Sequence, residues 1–540
     1  MTGGFRLAYT RAVRRIAPLI AVLIVSLIWA LPVGAKVKDF RSGVTAGEVK
    51  AKSARIWGAT EGSGKVRAKV ATDRRFRDVV ARKRMKSNGS NDNTVQARIK
   101  GLKPDMRHFY EFCARSASCS ERGKFSTAPK GKKSEVIEFA YTGDTDGTGL
   151  PGANQPFFGN FETFRAMRQE KNDFNIHFGD TIYSDSGVGG GPPALTAEEK
   201  WGKYRQNLEQ RNLTRLRKSA GFYSHWDDHE FINDFSIPED GQQLYQAGVE
   251  AFRDYAPVTY SDEQGLYRTF RWGRNLEVFF LDERSFRSAK ADFGGVCDNP
   301  DTNAPDLAPT APQGVRNVFA ALIPSLINPV SQACKNAIND PNRTLLGEPQ
   351  FSRFVQAIDD SSARWKIVVN ETPIQQFYGL PYDRWEGYAH ERIRLLNELE
   401  QRGVGNLVFI TTDTHAAFAN IVRKRTLNND VAPTNAPAGP TDTAYQDFII
   451  GPVATNPFWD EIDNVTGEPG SGELLSNAFF KPDPPAGVGM FCSRGDVFSY
   501  AEVVVRKDSV QIAFKDQTGQ TVVDVNGEPC GPYTITPFGP

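Results

Sequence analysis

Short apolar runs that end in acidic residues recur along the chain from residue 136 onward. The segments that follow these runs are Gly143-Asp144-Thr145-Asp146, Gly179-Asp180-Thr181-Ile182-Tyr183, Asp227-Asp228-His229-Glu230, Asp282-Glu283-Arg284, Asn370-Glu371 and Asp413-Thr414-His415. The runs alternate with stretches of helical pattern, which predicts buried strands in an α/β fold. Ligands of open α/β sheets bind beyond the carboxyl ends of the strands. We therefore expect these acids to lie together at one rim of a sheet.

Bound cations are the simplest explanation for so many acids at one rim. Carboxylates in apolar surroundings repel one another and lose hydration, and both effects are costly unless positive charge is present. The chain has only six histidines, fewer than a pair of zinc ions would normally use. Oxygen-rich ligation favours Ca²⁺, Mg²⁺ or Mn²⁺, and a tyrosinate ligand favours Fe³⁺.

Several motifs occur in an order that is typical of one enzyme group. They are Gly179-Asp180-x-x-Tyr183, Trp226-Asp227-Asp228-His229-Glu230, Leu281-Asp282-Glu283-Arg284-Ser285-Phe286-Arg287, Asp383-Arg384-Trp385-Glu386-Gly387-Tyr388 and Asp413-x-His415. Together they resemble the alkaline phosphatase D group of calcineurin-like metallophosphoesterases, which includes phospholipase D-type members. The resemblance implies an α/β metallophosphoesterase β-sandwich flanked by helices, preceded by an all-β, fibronectin type III-like domain.

The resemblance also implies ligands for two metal ions. Asp180 would bridge the ions, and Tyr183 would bind a ferric ion as a phenolate. Asp228 stands where the group usually has asparagine, and it would bind the second ion. Asp413 and His415 match the last metal-binding motif of the group.

Two further ligand positions are less typical of the group. Several members have a cysteine after the first strand, where this chain has Gly143-Asp144. We expect Asp144 to bind metal there, with Asp146 as a second choice. Asn207 is a candidate for donating an amide oxygen to the second ion. The implied cofactors are Fe³⁺ with Ca²⁺, and Mn²⁺, Mg²⁺ or Zn²⁺ remain alternatives.

Two residues are predicted to act directly on the substrate. His229 would stabilise the transition state or protonate the leaving oxygen. Arg284 is a candidate phosphate clamp, because a planar guanidinium matches phosphate oxygens. The alternative for Arg284 is a buried ion pair with Asp282. The expected reaction is direct hydrolysis of a phosphate mono- or diester by a water activated between the cations, with inversion at phosphorus.

Two other functions stay open. The substrate could be a phospholipid-type diester, as in the phospholipase D-type members. Alternatively, the chain could be a catalytically inactive binding protein of the cell surface. The 65 basic and 64 acidic residues nearly balance, which is not the pattern of a nucleic-acid-binding protein. We expect a monomer.

The first 35 residues have the pattern of a signal peptide. Arg11, Arg14 and Arg15 precede an apolar run over 16–33, and small residues follow up to Ala35. Cleavage after Ala35 would leave no stable membrane span, and the alternative is an uncleaved anchor. We expect a secreted or periplasmic protein, exported by the Sec or the twin-arginine route. Six cysteines then favour disulfides, and sequential pairing (113–119, 297–334, 492–530) is the simplest of 15 possibilities.

Composition divides the remaining chain into two domains. Short alternating runs predict a fibronectin-like β-sandwich over residues 36–130. Residues 131–540 would form the catalytic domain, with helices over 161–171, 197–217, 350–361 and 389–401. Two tracts rich in Pro, Asn, Asp and Gly, about 289–345 and 425–475, are predicted to be loop-like insertions.

Overall fold

The structure is a computed structural model that describes residues 36–427, 441–482 and 488–538. The predicted signal segment, residues 1–35, lies outside the described residues. Among the described helices, none is both long enough and apolar enough to cross a membrane.

The N-terminal region is built from strands alone, apart from one short 3-10 turn at Gly89–Asn91. Its strands are β1 (Asp39–Lys50), β2 (Ser53–Glu61), β3 (Gly64–Ala71), β4 (Val79–Ser87), β5 (Thr94–Lys100), β6 (Arg107–Ala114), β7 (Ala117–Cys119) and β8 (Gly123–Ser126). β4, β3 and β6 pair in that order, and β7 and β8 both pair with β6. The side chains of Ile56, Val70 and Phe112 from both layers are buried in one core. The predicted all-β N-terminal module is confirmed.

The rest of the chain alternates between strands and helices. Up to residue 340 the elements are β9 (Ile137–Thr142), α1 (Glu162–Gln169), β10 (Phe174–Phe178), α2 (Ala197–Leu208), α3 (Arg211–Arg217), β11 (Gly221–His225), α4 (Ile237–Asp240), α5 (Gln242–Tyr255), β12 (Arg268–Trp272), β13 (Leu276–Phe280), β14 (Asp298–Asn299), β15 (Ala304–Pro305), α6 (Gln313–Phe319) and α7 (Gln332–Ile338). Beyond residue 340 they are α8 (Glu348–Asp359), β16 (Trp365–Asn370), α9 (Ala389–Gln401), β17 (Leu407–Thr411), β18 (Ala417–Arg425), β19 (Thr441–Ile449), α10 (Phe458–Thr466), α11 (Ser471–Ala478), β20 (Met490–Arg494), β21 (Ser499–Val505), β22 (Val510–Asp516) and β23 (Tyr533–Ile535).

Two large sheets form a sandwich. The first sheet has the order β23-β22-β21-β9-β10-β11-β1-β2-β5, and the second has the order β12-β13-β16-β17-β19-β18-β20. The neighbours β9, β10 and β11 run parallel, as do β13, β16, β17 and β19. Phe178 of the first sheet and Val369 and Ile410 of the second are fully buried in one core cluster.

Helices cover the outer faces of both sheets. Met167 of α1 and Phe252 of α5 pack with Phe222 on the outside of the first sheet. Phe354 of α8 and Leu396 of α9 belong to the cluster on the outside of the second sheet. The predicted β-sandwich flanked by helices is therefore confirmed.

Strands of the N-terminal region continue the first sheet. β1 pairs parallel with β11, with Ala46 opposite Gly221, and β2 and β5 extend the sheet beyond β1. The indole of Trp57 on β2 donates a hydrogen bond of 2.6 Å to the carbonyl oxygen of Asp254 on α5. The boundary at residue 130 stays a prediction, but the two regions share both backbone pairing and side-chain contacts.

Most predicted helices and strands lie where the sequence pattern put them. The predicted helix over 197–217 is instead two helices, because α2 ends at Leu208 and α3 begins at Arg211. Thr196 and Glu199 form a reciprocal capping box at the start of α2, which satisfies two backbone amides. β21 and β22 form an antiparallel hairpin near the end of the chain.

The two tracts expected to be loop-like contain regular structure. The tract 289–345 includes α6, α7 and the short pair β14–β15, and a disulfide joins Cys297 to Cys334. The tract 425–475 includes β19, α10 and the first turn of α11, while residues 428–440 lie outside the described residues. Disulfides also join Cys113 to Cys119 and Cys492 to Cys530, which confirms sequential pairing.

Candidate active site

Four aspartates that follow central strands come together at one rim of the sandwich. Asp144 follows β9, Asp180 follows β10, Asp228 follows β11 and Asp413 follows β17. All four are near the carboxyl ends of parallel strands, and this placement brings residues far apart in sequence within reach of one another.

The backbone bends sharply at these strand ends. Asp144, Asp180, Asp413 and His415 have φ angles of 62°, 51°, 68° and 55°. The left-handed region is unfavourable for residues other than glycine, and such strain is concentrated at functional sites. Four residues with strained backbone conformations at one rim indicate a functional site, at which the direction of the side chains outweighs the cost of the strain.

The first group of potential ligands contains Asp144, Asp180 and His415. One ligand atom from each of these three residues lies within 4.8 Å of the other two. The hydroxyl oxygen of Tyr183 is 3.0 Å from Nε2 of His415, at the edge of the same group. Two carboxylates, an imidazole and a phenol therefore share one small volume.

A second group lies beside the first and shares Asp180 with it. Asp180, Asp228 and His229 have ligand atoms within 4.8 Å of one another, and so do Asp227, Asp228 and Asp413. The backbone amide of Asp413 donates a hydrogen bond of 3.3 Å to Asp144, which connects the outer members of the two groups. Asp180 is thus placed between two sets of carboxylates.

The buried carboxylates of the site are not fully hydrogen-bonded. One oxygen each of Asp144, Asp227 and Asp228 is buried without a hydrogen-bond partner among the described residues. Burial raises the pKa of Asp144 to about 7, with a further contribution from Asp413. Burial likewise raises the pKa of Asp180 well above its ordinary value, and Asp228 adds to the effect. Unpartnered oxygens and raised pKa values are what cations would relieve, so these residues fit a pair of metal ions.

Each histidine at the site is oriented by a carboxylate. Nδ1 of His229 is 2.5 Å from Oδ1 of Asp185, and Nδ1 of His415 is 2.9 Å from Oε1 of Glu461. Burial lowers the pKa of His229, but Asp228, Asp180 and Asp185 together outweigh burial and raise the pKa well above its ordinary value. Burial also lowers the pKa of His415, but Glu461 raises it, and the net result is a pKa of about 9.

Glu230 supports the loops that carry the ligands. Its carboxylate accepts hydrogen bonds from the backbone amides of Asp180, Thr181 and Asp227, at 3.1, 2.6 and 2.8 Å. One buried side chain therefore fixes the loop after β10 to the loop after β11.

Arg284 is enclosed by carboxylates and has no exposed surface. Its Nε donates to Asp227 at 2.6 Å and its Nη1 donates to Asp383 at 2.9 Å, and its side chain is 0% exposed. Asp282 accepts from the backbone amide of Arg284 at 3.1 Å, not from the guanidinium. The geometry therefore favours a buried ion pair for Arg284, with Asp227 and Asp383 in place of Asp282.

Arg384 lies beside Asp413 and is partly exposed. Its Nε lies 3.3 Å from Oδ2 of Asp413, and its side chain is 16% exposed. Because it contacts a candidate ligand and keeps some exposed surface, Arg384 is a candidate for contact with a bound anion.

Two of the predicted ligands lie apart from the acid groups. Both carboxylate oxygens of Asp146 accept hydrogen bonds, one from the amide of Thr148 and one from the hydroxyl of Ser186. The amide nitrogen of Asn207 donates to the carbonyl oxygens of Thr145 and Thr181, each at 2.7 Å. Asn207 therefore ties together the loops after β9 and β10, and ligation by Asp146 or Asn207 stays a prediction.

Asp185, Glu461 and Arg384 were not among the predicted site residues. Asp185 lies two positions after Tyr183, and Arg384 lies inside a recognised motif, so both carried a usable signal. Glu461 lies in a tract without a motif, and its contact with His415 depends on the tertiary fold.

A cleft of about 550 Å³ opens over the two groups. Its lining includes Tyr183, Asp185, His229, His415 and Glu461. Leu150 and Phe157, from the loop after β9, stand at the cleft with exposed fractions of 49% and 55%. The site is thus accessible to a small molecule.

Comparison with known proteins connects this geometry to phosphatases. The family model for PhoD-like phosphatase matches residues 149–480, and the model for the N-terminal domain of PhoD-like phosphatase matches residues 30–129. Alkaline phosphatase D of Bacillus subtilis (strain 168) is 24% identical over 426 residues, which covers 71% of this chain. The alignment spans 65% of that relative, a little under two thirds of its length.

Solved structures show the same fold. A structure of PhoD superimposes with a TM-score of 0.67 at 20% identity, covering 93% of this chain and 89% of that one. The purple acid phosphatase PPD1 from yellow lupin (Lupinus luteus) seeds superimposes with a TM-score of 0.53 at 10% identity, covering 91% and 74%.

Proposed function

Because this chain belongs to the PhoD-like phosphatase family, we propose that it hydrolyses phosphate esters at a site for two cations. The observation that carries the proposal is the position of Asp180, which contributes to both groups of potential ligands. A carboxylate between two such groups is suited to bridging a pair of ions.

The chain offers a distinct ligand set to each ion. Asp144, Asp180, Tyr183 and His415 would hold the first ion, and Asp180, Asp228 and Asp413 would hold the second. When bound, the pair would supply Lewis acidity and lower the pKa of a bound water. Phenolate and imidazole favour Fe³⁺ in the first position, and an all-carboxylate set favours Ca²⁺ in the second.

His229 is proposed to act on the leaving oxygen. The contact with Asp185 fixes Nδ1, which leaves Nε2 as the atom that can hold a proton toward the substrate. The backbone amide of His229 also donates to Asp180 at 3.2 Å, so the imidazole is held close to the proposed bridging residue. This placement supports proton donation to an ester oxygen.

Arg384 is proposed to bind the phosphate. A partly exposed arginine next to Asp413 suits contact with phosphate oxygens. The clamp that the sequence suggested at Arg284 would require that residue to give up buried contacts with Asp227 and Asp383. We therefore assign phosphate contact to Arg384 and a supporting role to Arg284.

We also propose that the protein works outside the cytoplasm as a monomer. The three disulfides support an oxidising compartment. Two of them, Cys297–Cys334 and Cys492–Cys530, connect segments 37 and 38 residues apart, which is typical of exported domains that rely on such links.

Elemental analysis combined with activity measurement tests the proposed function. The purified mature protein should contain two metal ions per chain and hydrolyse bis-p-nitrophenyl phosphate or p-nitrophenyl phosphate. A visible charge-transfer band that is lost in Tyr183→Phe would identify iron bound to that phenolate. The ratio of turnover on the two substrates separates a diesterase from a monoesterase.

The variant Asp180→Asn should lose both metal and activity, because one oxygen of a bridging carboxylate is replaced by an amide nitrogen that cannot bind a cation. Asp508→Asn is the matched control, since Asp508 has an exposed side chain. A metal-free and inactive wild-type protein would contradict the proposal and favour an inactive binding protein.

A further inference from the structure

A second cavity, lined by apolar side chains, lies next to the proposed phosphate site. Its volume is about 120 Å³. Its walls come from both insertion tracts: Leu307, Phe319, Leu322 and Leu326 from one, and Phe458, Ile462 and Val465 from the other. The two tracts therefore converge on one small space that neither the metal ligands nor the proton donor uses.

Three of the four polar residues of this cavity belong to the proposed active site, and the hydroxyl of the fourth, Thr466, is hydrogen-bonded to Ile462 and Ser471. Arg384 contacts Asp413, and Glu461 contacts His415. Thr414 lies between Asp413 and His415 in the chain, and its buried hydroxyl has no hydrogen-bond partner among the described residues. Glu461 lines both the apolar cavity and the cleft over the acid groups. The cavity is therefore next to the residues that are proposed to surround a bound phosphate.

Apolar walls around unfilled space favour an apolar occupant. Atoms that line a void lack dispersion contacts on one side, and apolar groups leave water readily for such a space. Val465 and Leu380, at the cavity, are 49% and 46% exposed, although residues of this type are usually buried.

We infer that this cavity binds a short alkyl group attached to the substrate's phosphorus through oxygen. This inference rests on the proposed function and specifies the substrate class: phosphate esters that carry a short apolar substituent. A cavity of about 150 Å³ holds a benzene ring. A cavity of about 120 Å³ therefore has room for a group of about four or five carbons.

Binding of n-alkylphosphonates tests the inference without relying on turnover. The dissociation constants of methyl- to hexylphosphonate are measured by calorimetry with the purified, metal-containing protein. Each added carbon should lower the dissociation constant by up to about fourfold, as expected for burial of one methylene group. The gain should stop at about four or five carbons, when the cavity is filled.

Two tryptophan variants test whether the dependence of affinity on chain length arises at this cavity. Val465→Trp places a large side chain at the cavity wall and should remove the dependence on chain length while methylphosphonate binds as before. Leu474→Trp is the matched control: Leu474 is 57% exposed on α11 and is not among the residues lining the cavity. Because both replaced residues are partly exposed, both variants should fold.

The outcomes separate the inference from the proposed function. If methylphosphonate binds and model diesters are hydrolysed, but affinity does not change with chain length, the inference is wrong and the proposed function stands. If neither binding nor hydrolysis occurs, the proposed function itself is wrong. A chain-length effect that survives in Val465→Trp would place the apolar group elsewhere and overturn the assignment of the cavity.

Discussion

Nδ1 of His229 lies 2.5 Å from a carboxylate oxygen of Asp185, and both side chains are 15% exposed. Burial raises the pKa of Asp185, but the hydrogen bond and charge of His229, together with the backbone amide of Asn233, outweigh burial and lower that pKa to about 2. Asp185 also accepts a hydrogen bond of 2.8 Å from the amide of Asn233, which fixes the carboxylate itself. The pair is therefore arranged to hold one imidazole tautomer in one orientation.

We expect Asp185→Asn to lower kcat by about 100-fold for esters with poor leaving groups, because general acid catalysis contributes about 10²–10⁴-fold. The loss should be much smaller with p-nitrophenol as leaving group, since a weakly basic oxygen needs no proton. Steady-state kinetics on an alkyl ester and an aryl ester measure the difference. Equal losses on both esters would mean that Asp185 acts only on the fold, as would a loss of bound metal.

The two arginines near the site should respond differently to replacement. Arg284→Met should destabilise the fold by about 3–5 kcal/mol, because it leaves Asp227 and Asp383 without their buried partner. Arg384→Gln should leave the unfolding free energy nearly unchanged and reduce kcat/KM by about 10–100-fold, as expected for loss of a charged hydrogen bond. Denaturant unfolding and kinetics on both variants check this contrast. The opposite pattern would return the phosphate clamp to Arg284.

Removal of metal should lower the melting temperature. Buried carboxylates with unpartnered oxygens lose their counter-charge when the ions leave. Ions present at about 1,000 times their dissociation constant stabilise the fold by about 4 kcal/mol. Calorimetry of the protein before and after chelation measures this shift, and restored metal should reverse it. Asp180→Asn should show little shift on chelation, and a full shift in that variant would place the stabilising metal elsewhere.

A group far from the metal ligands should give the fold a pH dependence. Burial raises the pKa of Asp254 to about 7, and Glu250 adds to this, while Oδ2 of Asp254 accepts a hydrogen bond of 3.0 Å from Trp201. The unfolded chain releases this proton near pH 3.8, so the folded state binds more protons between pH 3.8 and about 7. The contribution of Asp254 to stability is therefore greatest at low pH and is lost as pH rises through about 7.

Asp254→Asn should remove this dependence, because asparagine keeps the acceptor oxygen for Trp201 and has no charge. Relative to wild type, the variant should gain stability at pH 8 compared with pH 5. The gain should be on the order of 1 kcal/mol, since partial exposure of Asp254 screens its charge. Unfolding experiments at the two pH values measure it. If the substitution changed the free energy of unfolding equally at both pH values, Asp254 would not be the source of the pH dependence.

The sequence predicted that the strand-end acids would share one rim, because the signal for this placement is local. Asp144, Asp180, Asp228 and Asp413 each come shortly after an apolar run, and strand ends in such a fold meet at one rim. The helix at Ala389–Gln401 was also predicted with the observed bounds, since it has a strong pattern.

Features that depend on tertiary packing were harder to predict from the sequence. The sequence suggested Arg284 as the phosphate clamp and did not single out Arg384, because exposure depends on which acids surround each guanidinium. Helices α6 and α10 lie in tracts whose Pro and Asn content resembles that of loops, yet α6 buries Val315 and Phe319, and Phe458 of α10 packs partly buried against the same cluster. Glu461 lies on α10, so its contact with His415 depends on where that helix packs.

The parallel pairing of β1 with β11 gives the N-terminal strands a part in shaping the rim that carries the acid groups. β11 leads directly into Trp226-Asp227-Asp228-His229, and Ala46 lies beside its first residue. A fragment that began after residue 130 would leave β11 as a bare sheet edge, open to pairing with other chains. Trimming or exchanging the N-terminal region would therefore put at risk both the solubility of the protein and the placement of Asp227 and Asp228.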